Sequence, residues 1–260
     1  MIEGLLELPS HVRGRLVNAL KTGLLVVPYE EAAVRSVLGG NAAAVRVGYA
    51  LNWLNDHGIP GPAVALALEA ASRAVADMPH PDLVWSGPEV PGLHARDTRR
   101  VYEELVAAAE HYLWISTYAY YDGPQAFKSL AARMQAVPQL QVTLLLNIQR
   151  RPGDTAPAEQ LVVRFAERLW HHDWPGSREP AVFYDPRSLE PHAPGGILHA
   201  KAVVADDEAT FVTSANLTQA AFDRNIEVGV LTRDHALAAS LARHFGTLIE
   251  QGLLLPLPSR

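Results

Sequence analysis

The residues best suited to chemistry lie in one run, Ile197-Leu198-His199-Ala200-Lys201 and on to Asp206, followed by Thr213-Ser214-Ala215-Asn216 and then Asn225-Ile226-Glu227. Residues two apart on a strand face the same way, so a strand over 197–205 is expected to project His199 and Lys201 together. An imidazole beside an ammonium makes a poor core, yet the flanking residues are strongly apolar. That conflict between local pattern and residue choice marks a functional site. Imidazole is a competent neutral nucleophile near its ordinary pKa of about 6.5. An ammonium and a carboxamide N–H can spread negative charge that develops on a reacting group. Taken alone, His199 reads as a satisfied buried histidine. With Lys201, Asp206, Ser214, Asn216 and Glu227 at these spacings, it reads as part of a site.

The elements that must hold these residues follow from hydrophobic periodicity. Residues 1–78 read as a small helical module, with helical spacing at Leu16, Leu20 and Leu24, at Val34, Val37 and Leu38, and in the alanine-rich runs 42–54 and 62–78. Gly39-Gly40 and the stretch Gly58 to Pro62 interrupt it. Met78 to Asp82 has linker composition, and from there to about 252 the pattern becomes strands alternating with helices. Helices are expected at 98–110, 125–136, 157–170 and 234–251, and strands at 111–120, 141–147, 197–205, 210–213 and 226–232. The first strand–helix alternation implies a mostly parallel sheet with covered faces, within an α/β sandwich. Residues 253–260 are expected to form a C-terminal tail.

Composition sets limits on function. With 48% hydrophobic and 19% charged residues, the chain can bury a large core. Cysteine is absent, which removes thiolate nucleophiles, disulfides and cysteine-ligated metals. No apolar run is long enough to span a membrane, and Met1-Ile2-Glu3-Gly4 lacks a signal-peptide layout, so a cytoplasmic location is expected. A formal charge of −6 argues against an all-over basic surface but not against a local groove. Arg96, Arg99 and Arg100, Arg150 and Arg151, and Arg164 and Arg168 are the basic clusters, with surface solvation as their ordinary reading. His171-His172-Asp173 lacks a third ligand at useful spacing, and no metal is expected there. His192 precedes the motif in a loop. Tyr118, Tyr120 and Tyr121 read first as sheet packing, with stacking on a base or sugar as the alternative. Asn147 ends a strand and is a candidate to line the cleft.

The run from His199 to Asn216 resembles the phospholipase D superfamily signature, His-x-Lys-(x)4-Asp and then, after six residues, Gly-Ser-x-Asn. Thr213 stands where the family usually has glycine. The resemblance covers about 82–252, and it implies a phospholipase D-like mixed sheet with helices on both faces, here preceded by the helical module. It implies a phosphodiesterase acting through a phosphohistidine intermediate. His199 would be the nucleophile, Lys201 and Asn216 would bind nonbridging oxygens, and Ser214 would add a hydroxyl donor. Glu227 would accept the other ring proton of His199. Asp206 is expected to orient structure rather than touch substrate. No metal or other cofactor is required, because Lys201 and Asn216 do the charge work. Protonating the leaving oxygen calls for a second histidine, and the chain has one copy of the motif; His94-Ala95-Arg96 only superficially resembles it. Single-motif members imply a homodimer contributing one His199 from each chain.

The layout also resembles the phospholipase D-like components of the bacterial DISARM anti-phage system. The helical module, Val84 to Glu89, Arg96-Asp97-Thr98 and Arg224 to Gly229 carry that likeness, which implies nucleic acid as substrate and defence proteins as partners. A nuclease is the first reading, with a basic groove across the dimer. A phospholipase or phosphatidyl transferase is an alternative, although the apolar helix or loops it would need are not found. A non-catalytic DNA-binding or scaffold subunit of a defence complex is the other.

Overall fold

The computed structural model describes residues 3–260 apart from 41, 77–79, 90, 93, 152 and 191–195. The linker expected at 78–82 falls partly on those positions, and His192 lies outside the described residues. The chain divides into two compact units, Met1–Met78 and Pro79–Arg260.

The first unit is helical: α1 (Glu3–Leu6), α2 (Ser10–Thr22), α3 (Glu31–Val37), α4 (Ala44–Asp56) and α5 (Gly61–Ala76). Leu16 and Leu20 of α2, Val34 of α3, Leu51 of α4 and Leu68 of α5 meet in one apolar core. The Asn52 side chain accepts from the Tyr29 backbone N–H (2.9 Å) and donates to the Tyr29 carbonyl (3.1 Å), fixing the α2–α3 connection to α4. Both polar groups of that buried peptide are thereby satisfied.

The second unit carries β1 (Asp82–Ser86), β2 (Arg96–Asp97), α6 (Thr98–Ala108), β3 (Tyr112–Thr117), α7 (Gly123–Ala126), α8 (Lys128–Ala136), β4 (Gln141–Leu146), α9 (Ala158–Arg168), β5 (Ala181–Tyr184), β6 (Ala202–Ala205), β7 (Ala209–Thr213), α10 (Gln219–Asp223), β8 (Glu227–Thr232), α11 (His235–Glu250) and β9 (Leu255–Pro256). Among the described residues these strands form one sheet in the order β2-β1-β8-β7-β6-β3-β4-β5-β9. The fold is α/β with a mixed sheet. Only the β1–β2, β3–β4 and β4–β5 junctions are parallel. The β1–β8, β3–β6, β5–β9, β6–β7 and β7–β8 junctions are antiparallel, which corrects the expectation of a mostly parallel sheet. The strand–helix alternation that suggested parallel pairing stops after β5; β7 returns from β6 through residues 206–208, a connection that only antiparallel neighbours allow, and β8 then pairs antiparallel with β7.

Several boundaries also differ from the sequence reading. The strand expected over 197–205 is paired only from Ala202, and the one expected over 111–120 ends at Thr117. The short strands β1, β5 and β9 were not expected. Residues 253–260 are no free tail: Leu255 and Pro256 pair with β5, Leu254 and Leu257 are buried, and Trp170 Nε1 donates to the Pro258 carbonyl.

One sheet face is packed by α6, α8 and α9 through Val101, Leu105, Leu130, Met134 and Leu161 against Val84, Leu113, Ile115, Leu144 and Phe211. On the other face α11 covers only part of the sheet, with Phe245 and Leu241 against Trp114, Leu145, Phe183 and Ala202. Within this unit, among the described residues, α11 reaches little of the β1–β8–β7 portion of that second face. Leu83, Val212, Val228 and Val230 are 50%, 49%, 49% and 45% exposed, and Val230 is the register partner of both Leu83 and Val212.

Asp206 ties the start of β3 to the end of β6. Its carboxylate accepts from the backbone N–H groups of Glu110 (2.6 Å), His111 (2.9 Å) and Tyr112 (2.7 Å), and its own φ is 50°. Hydrogen bonds to a charged acceptor contribute roughly 1.5–3 kcal/mol each, and they are not additive. Asp206→Ala, which loses all three and places alanine at a positive φ, is expected to lower unfolding free energy by about 3 kcal/mol in urea titration. Asp206→Asn, which tolerates that φ and keeps one carbonyl oxygen, is expected to lose less.

Candidate active site

The segment carrying His199 is extended but unpaired as a strand, and three hydrogen bonds hold it. Leu198 N–H donates to Asn147 Oδ1 (3.2 Å), Ser116 Oγ donates to the Ala200 carbonyl (3.0 Å), and Thr213 N–H donates to the Lys201 carbonyl (3.1 Å). The ends of β3, β4 and β7 thus set the height of His199 above the sheet. Asn147 does not simply line the cleft. It is buried and anchors the segment, which accounts for an amide at a strand end.

His199 is exposed, whereas Lys201 is only 9% exposed. The Lys201 ammonium donates to the His199 carbonyl (2.9 Å) and lies 3.1 Å from both Nδ1 and Nε2 of the ring, so neither nitrogen is singled out. The two side chains do project together, as expected, but through the hydrogen bonds of an extended segment rather than through a paired strand. Burial lowers the Lys201 pKa below the ordinary lysine value, and the Glu227 carboxylate opposes that shift by favouring the cation. The unfolded chain keeps this proton to higher pH, so the penalty that charged Lys201 places on folding is relieved as pH rises from its lowered pKa towards the ordinary lysine value.

Asn216 turns its Oδ1 to the backbone N–H of Ala119 (3.2 Å), and its Nδ2 donates to no partner among the described residues. A carboxamide held by its oxygen presents its N–H groups in a fixed direction, as an anion-binding donor requires. Ser214 and Glu227 differ from the sequence expectation. The Ser214 hydroxyl donates to Glu227 Oε2 (2.5 Å) and accepts from Val228 N–H (3.1 Å), while Asn225 Nδ2 donates to Glu227 Oε1 (3.2 Å). Its proton is therefore engaged by a carboxylate. Glu227 makes no hydrogen bond to His199, because the β7–β8 register places it beside Ser214; it acts on Lys201 through charge.

Thr213, where the resemblance calls for glycine, is accommodated from across the ladder. Its register partner is Gly229, where an added Cβ would stand 2.6 Å from Phe211 Cε2 and 2.9 Å from Thr213 Cβ. The Thr213 hydroxyl donates to the Val228 carbonyl (3.3 Å) and accepts from Ala215 N–H (3.1 Å), which shapes the loop leading to Asn216.

Tyr118 lies against His199 and Lys201, so sheet packing, the first of the two sequence readings, does not describe it. Its ring centroid is 4.8 Å from that of His199, and the Lys201 ammonium is 5.3 Å from its centre. A cation over an aromatic face is favourable by roughly 0.5–2 kcal/mol. No local signal in the sequence separated Tyr118 from Tyr120, because the end of β3 at Thr117 and the pairing of β3 with β6 are set only by folding. Tyr120 does pack in the core, against Phe127 at 4.9 Å, and Tyr121 is exposed. Among the basic clusters, Arg96 pairs with Asp82 and Glu104, Arg99 with Asp223 and Arg168 with Asp173. Arg150 donates to the carbonyls of Leu189, Asp154 and Ala156. These heads serve the fold rather than a free cationic surface. Asp173 also accepts from the Tyr120 hydroxyl, so it is no free ligand beside His171 and His172. Among the described residues no cluster of histidine and carboxylate side chains could hold a metal ion.

A family model described as "Cardiolipin synthase, PLD-like domain" matches residues 102–249, more than half of the chain. The chain belongs to the phospholipase D-like family. The matched span holds every phospholipase D-like motif residue, His199, Lys201, Asp206, Ser214, Asn216 and Glu227. Solved structures similar to it include a phospholipase D family member, Nuc from Salmonella typhimurium, at 20% identity and TM-score 0.45, covering 70% of this chain and 99% of that one. NucT from Helicobacter pylori is 16% identical with TM-score 0.42, over 58% of this chain and 87% of that one. Phosphatidylserine synthase of Haemophilus influenzae Rd KW20 is 14% identical with TM-score 0.44, over 76% of this chain and 47% of that one. No curated protein matches this phospholipase D-like chain.

NMR of lysine-labelled protein is expected to find Lys201 titrating below the ordinary lysine range, and Glu227→Gln, which removes the opposing carboxylate, to lower it further. An upward shift in that variant would contradict the electrostatics described here. Gly229→Ala, which forces Phe211 or Thr213 to move, is expected to cost about 1–3 kcal/mol in denaturant unfolding, the range for overpacking a tight contact.

Proposed function

We propose that this chain is a phosphodiesterase that forms a phosphohistidine at His199, acts on nucleic acid, and works as a homodimer in bacterial anti-phage defence. The exposed His199 imidazole held against the shielded Lys201 ammonium carries this reading. In the free protein the ring nitrogens occupy that ammonium. A phosphodiester is a stronger acceptor, so its nonbridging oxygen draws Lys201 away and leaves one ring nitrogen free to attack phosphorus. Asn216 Nδ2 takes up charge on another nonbridging oxygen as the bond to the leaving oxygen breaks. The leaving alkoxide needs a proton, and among the described residues no second histidine bonds to or stacks on His199. The His199 of a second copy supplies that proton, then takes one from the water that attacks the phosphohistidine and releases His199.

The half-exposed face at Leu83, Val212, Val228 and Val230 supports pairing with a second copy. It is apolar, and its strands β7 and β8 lead directly into Ser214, Asn216 and Glu227. The defence role is supported by three segments that resemble DISARM components and come together beside Glu227. Ser86 is the register partner of Glu227, its hydroxyl donates to Thr98 Oγ1 (2.7 Å), and Gly87, at φ 114°, packs against Asn225 and Ile226. No helix among the described residues is long and apolar enough to cross a membrane, and a cytoplasmic location is part of this proposal.

The test is cleavage of labelled single-stranded and double-stranded DNA in excess EDTA, with phosphatidylcholine vesicles in parallel. Wild-type protein is expected to cut DNA from a dimer and His199→Ala to lose at least about 10³-fold in rate. Val230→Glu, which puts a charge in the apolar face, is expected to sediment as a monomer and lose cleavage. DNA cleavage by a monomeric wild type would defeat the two-copy account. Hydrolysis of lipid alone would replace nucleic acid as the substrate.

A further inference from the structure

A cavity of about 430 Å³ lies between α6, the α7–α8 segment and α10, beside the site but separate from the groups that grip phosphate. Its walls continue the two loops that carry site residues. Leu217, Thr218 and Gln219 follow Asn216 directly, and Tyr121 follows Tyr118 by three positions. Leu217 is bridged to Tyr120 and accepts from Tyr121 N–H (3.4 Å), so the two loops are joined. A molecule whose phosphate rests on Lys201 and Asn216 therefore has this cavity as an adjoining compartment.

The walls carry the rings of Tyr121 and Phe222, the amides of Gln125 and Gln219, and two charges of each sign, Arg99 and Lys128 against Glu103 and Asp122. Tyr121 is 72% exposed at the rim and packs on no other ring among the described residues. The Arg99 guanidinium lies 5.0 Å from the centre of the Phe222 ring, and its charge is met by Asp223 at 2.6 Å. Gln125 is exposed and makes no side-chain hydrogen bond among the described residues. The Tyr102 hydroxyl is buried without a partner among those residues, in a side chain that is 3% exposed. A bare anion does not suit walls that also hold Glu103 and Asp122. A planar ring with polar edges does, since every nucleobase has a face to stack and edges to hydrogen-bond. The Lys128 ammonium, also in the wall and without an ion-pair partner among the described residues, can meet the next phosphate of the same strand.

We propose that this cavity is a nucleobase subsite, holding the base of a nucleotide next to the phosphodiester at His199, stacked on Tyr121 and contacted at its edge by Gln125. This rests on the nucleic-acid reading above. Base stacking on one aromatic side chain corresponds to about 5- to 100-fold in affinity.

The test compares wild-type protein, Tyr121→Ala and Gln125→Ala, all changes at exposed positions. Binding is measured to single-stranded oligonucleotides that are intact or carry one abasic position scanned along the strand, and turnover is measured on bis(p-nitrophenyl) phosphate, which has no base. Tyr121→Ala is expected to weaken binding of intact strands about 5- to 100-fold and leave turnover of bis(p-nitrophenyl) phosphate unchanged. One abasic position is expected to cost wild type the same factor and cost Tyr121→Ala nothing more. Equal binding by wild type and both variants to intact strands overturns the subsite while leaving the nuclease reading in place. Turnover of bis(p-nitrophenyl) phosphate by a wild-type protein that binds no oligonucleotide overturns both.

Discussion

The Lys201 ammonium, held at 9% exposure against the His199 ring, is the constraint on which the rest of the site depends. Removing a charge from water is costly unless hydrogen bonds and nearby opposite charge compensate. Here the His199 carbonyl, the ring nitrogens, the Tyr118 face and the more remote Glu227 carboxylate share that compensation. The ring contact is a weak, replaceable part of it. Under the proposed function, a phosphodiester would offer Lys201 a full negative charge in its place.

The surrounding fold serves to keep that segment unpaired yet fixed. A fully paired strand would commit the backbone groups at Leu198 and Ala200 to a ladder. Instead Asn147, Ser116 and Thr213 hold 198–201 from three neighbouring strand ends. Asp206 works at the opposite end of β6, clamping three consecutive backbone N–H groups ahead of β3. Since β6 lies between β3 and β7, the position of His199 follows from both of those strands together.

Glu227 and Ser214 show how tertiary register reassigns a motif. Their spacing to His199 suggested direct participation, but antiparallel pairing of β7 with β8 sets Ser214 opposite Val228 and turns its hydroxyl to Glu227. What reaches the His199–Lys201 pair from there is the electrostatic influence of Glu227 on Lys201. Thr213 and Gly229 show the same logic in packing, since bulk on one strand is matched by its absence on the next.

Residue type and spacing alone determined much of this protein. His199, Lys201, Asp206 and Asn216 could be picked out because polar residues at fixed intervals at the ends of apolar strands are a costly choice, and because their spacing resembles a known signature. The helical first unit and the principal helices and strands of the second followed from periodicity, which depends only on local geometry. The short strands β1, β5 and β9 depended on partners far away in sequence, so their few residues carried no local signal. The mixed sheet direction, the end of β3 before Tyr118, and the partners of Glu227 were likewise decided by tertiary structure. Each is a relation between segments brought together only by folding: a ladder forms where two chains meet, and a side chain finds its acceptor only after register is set.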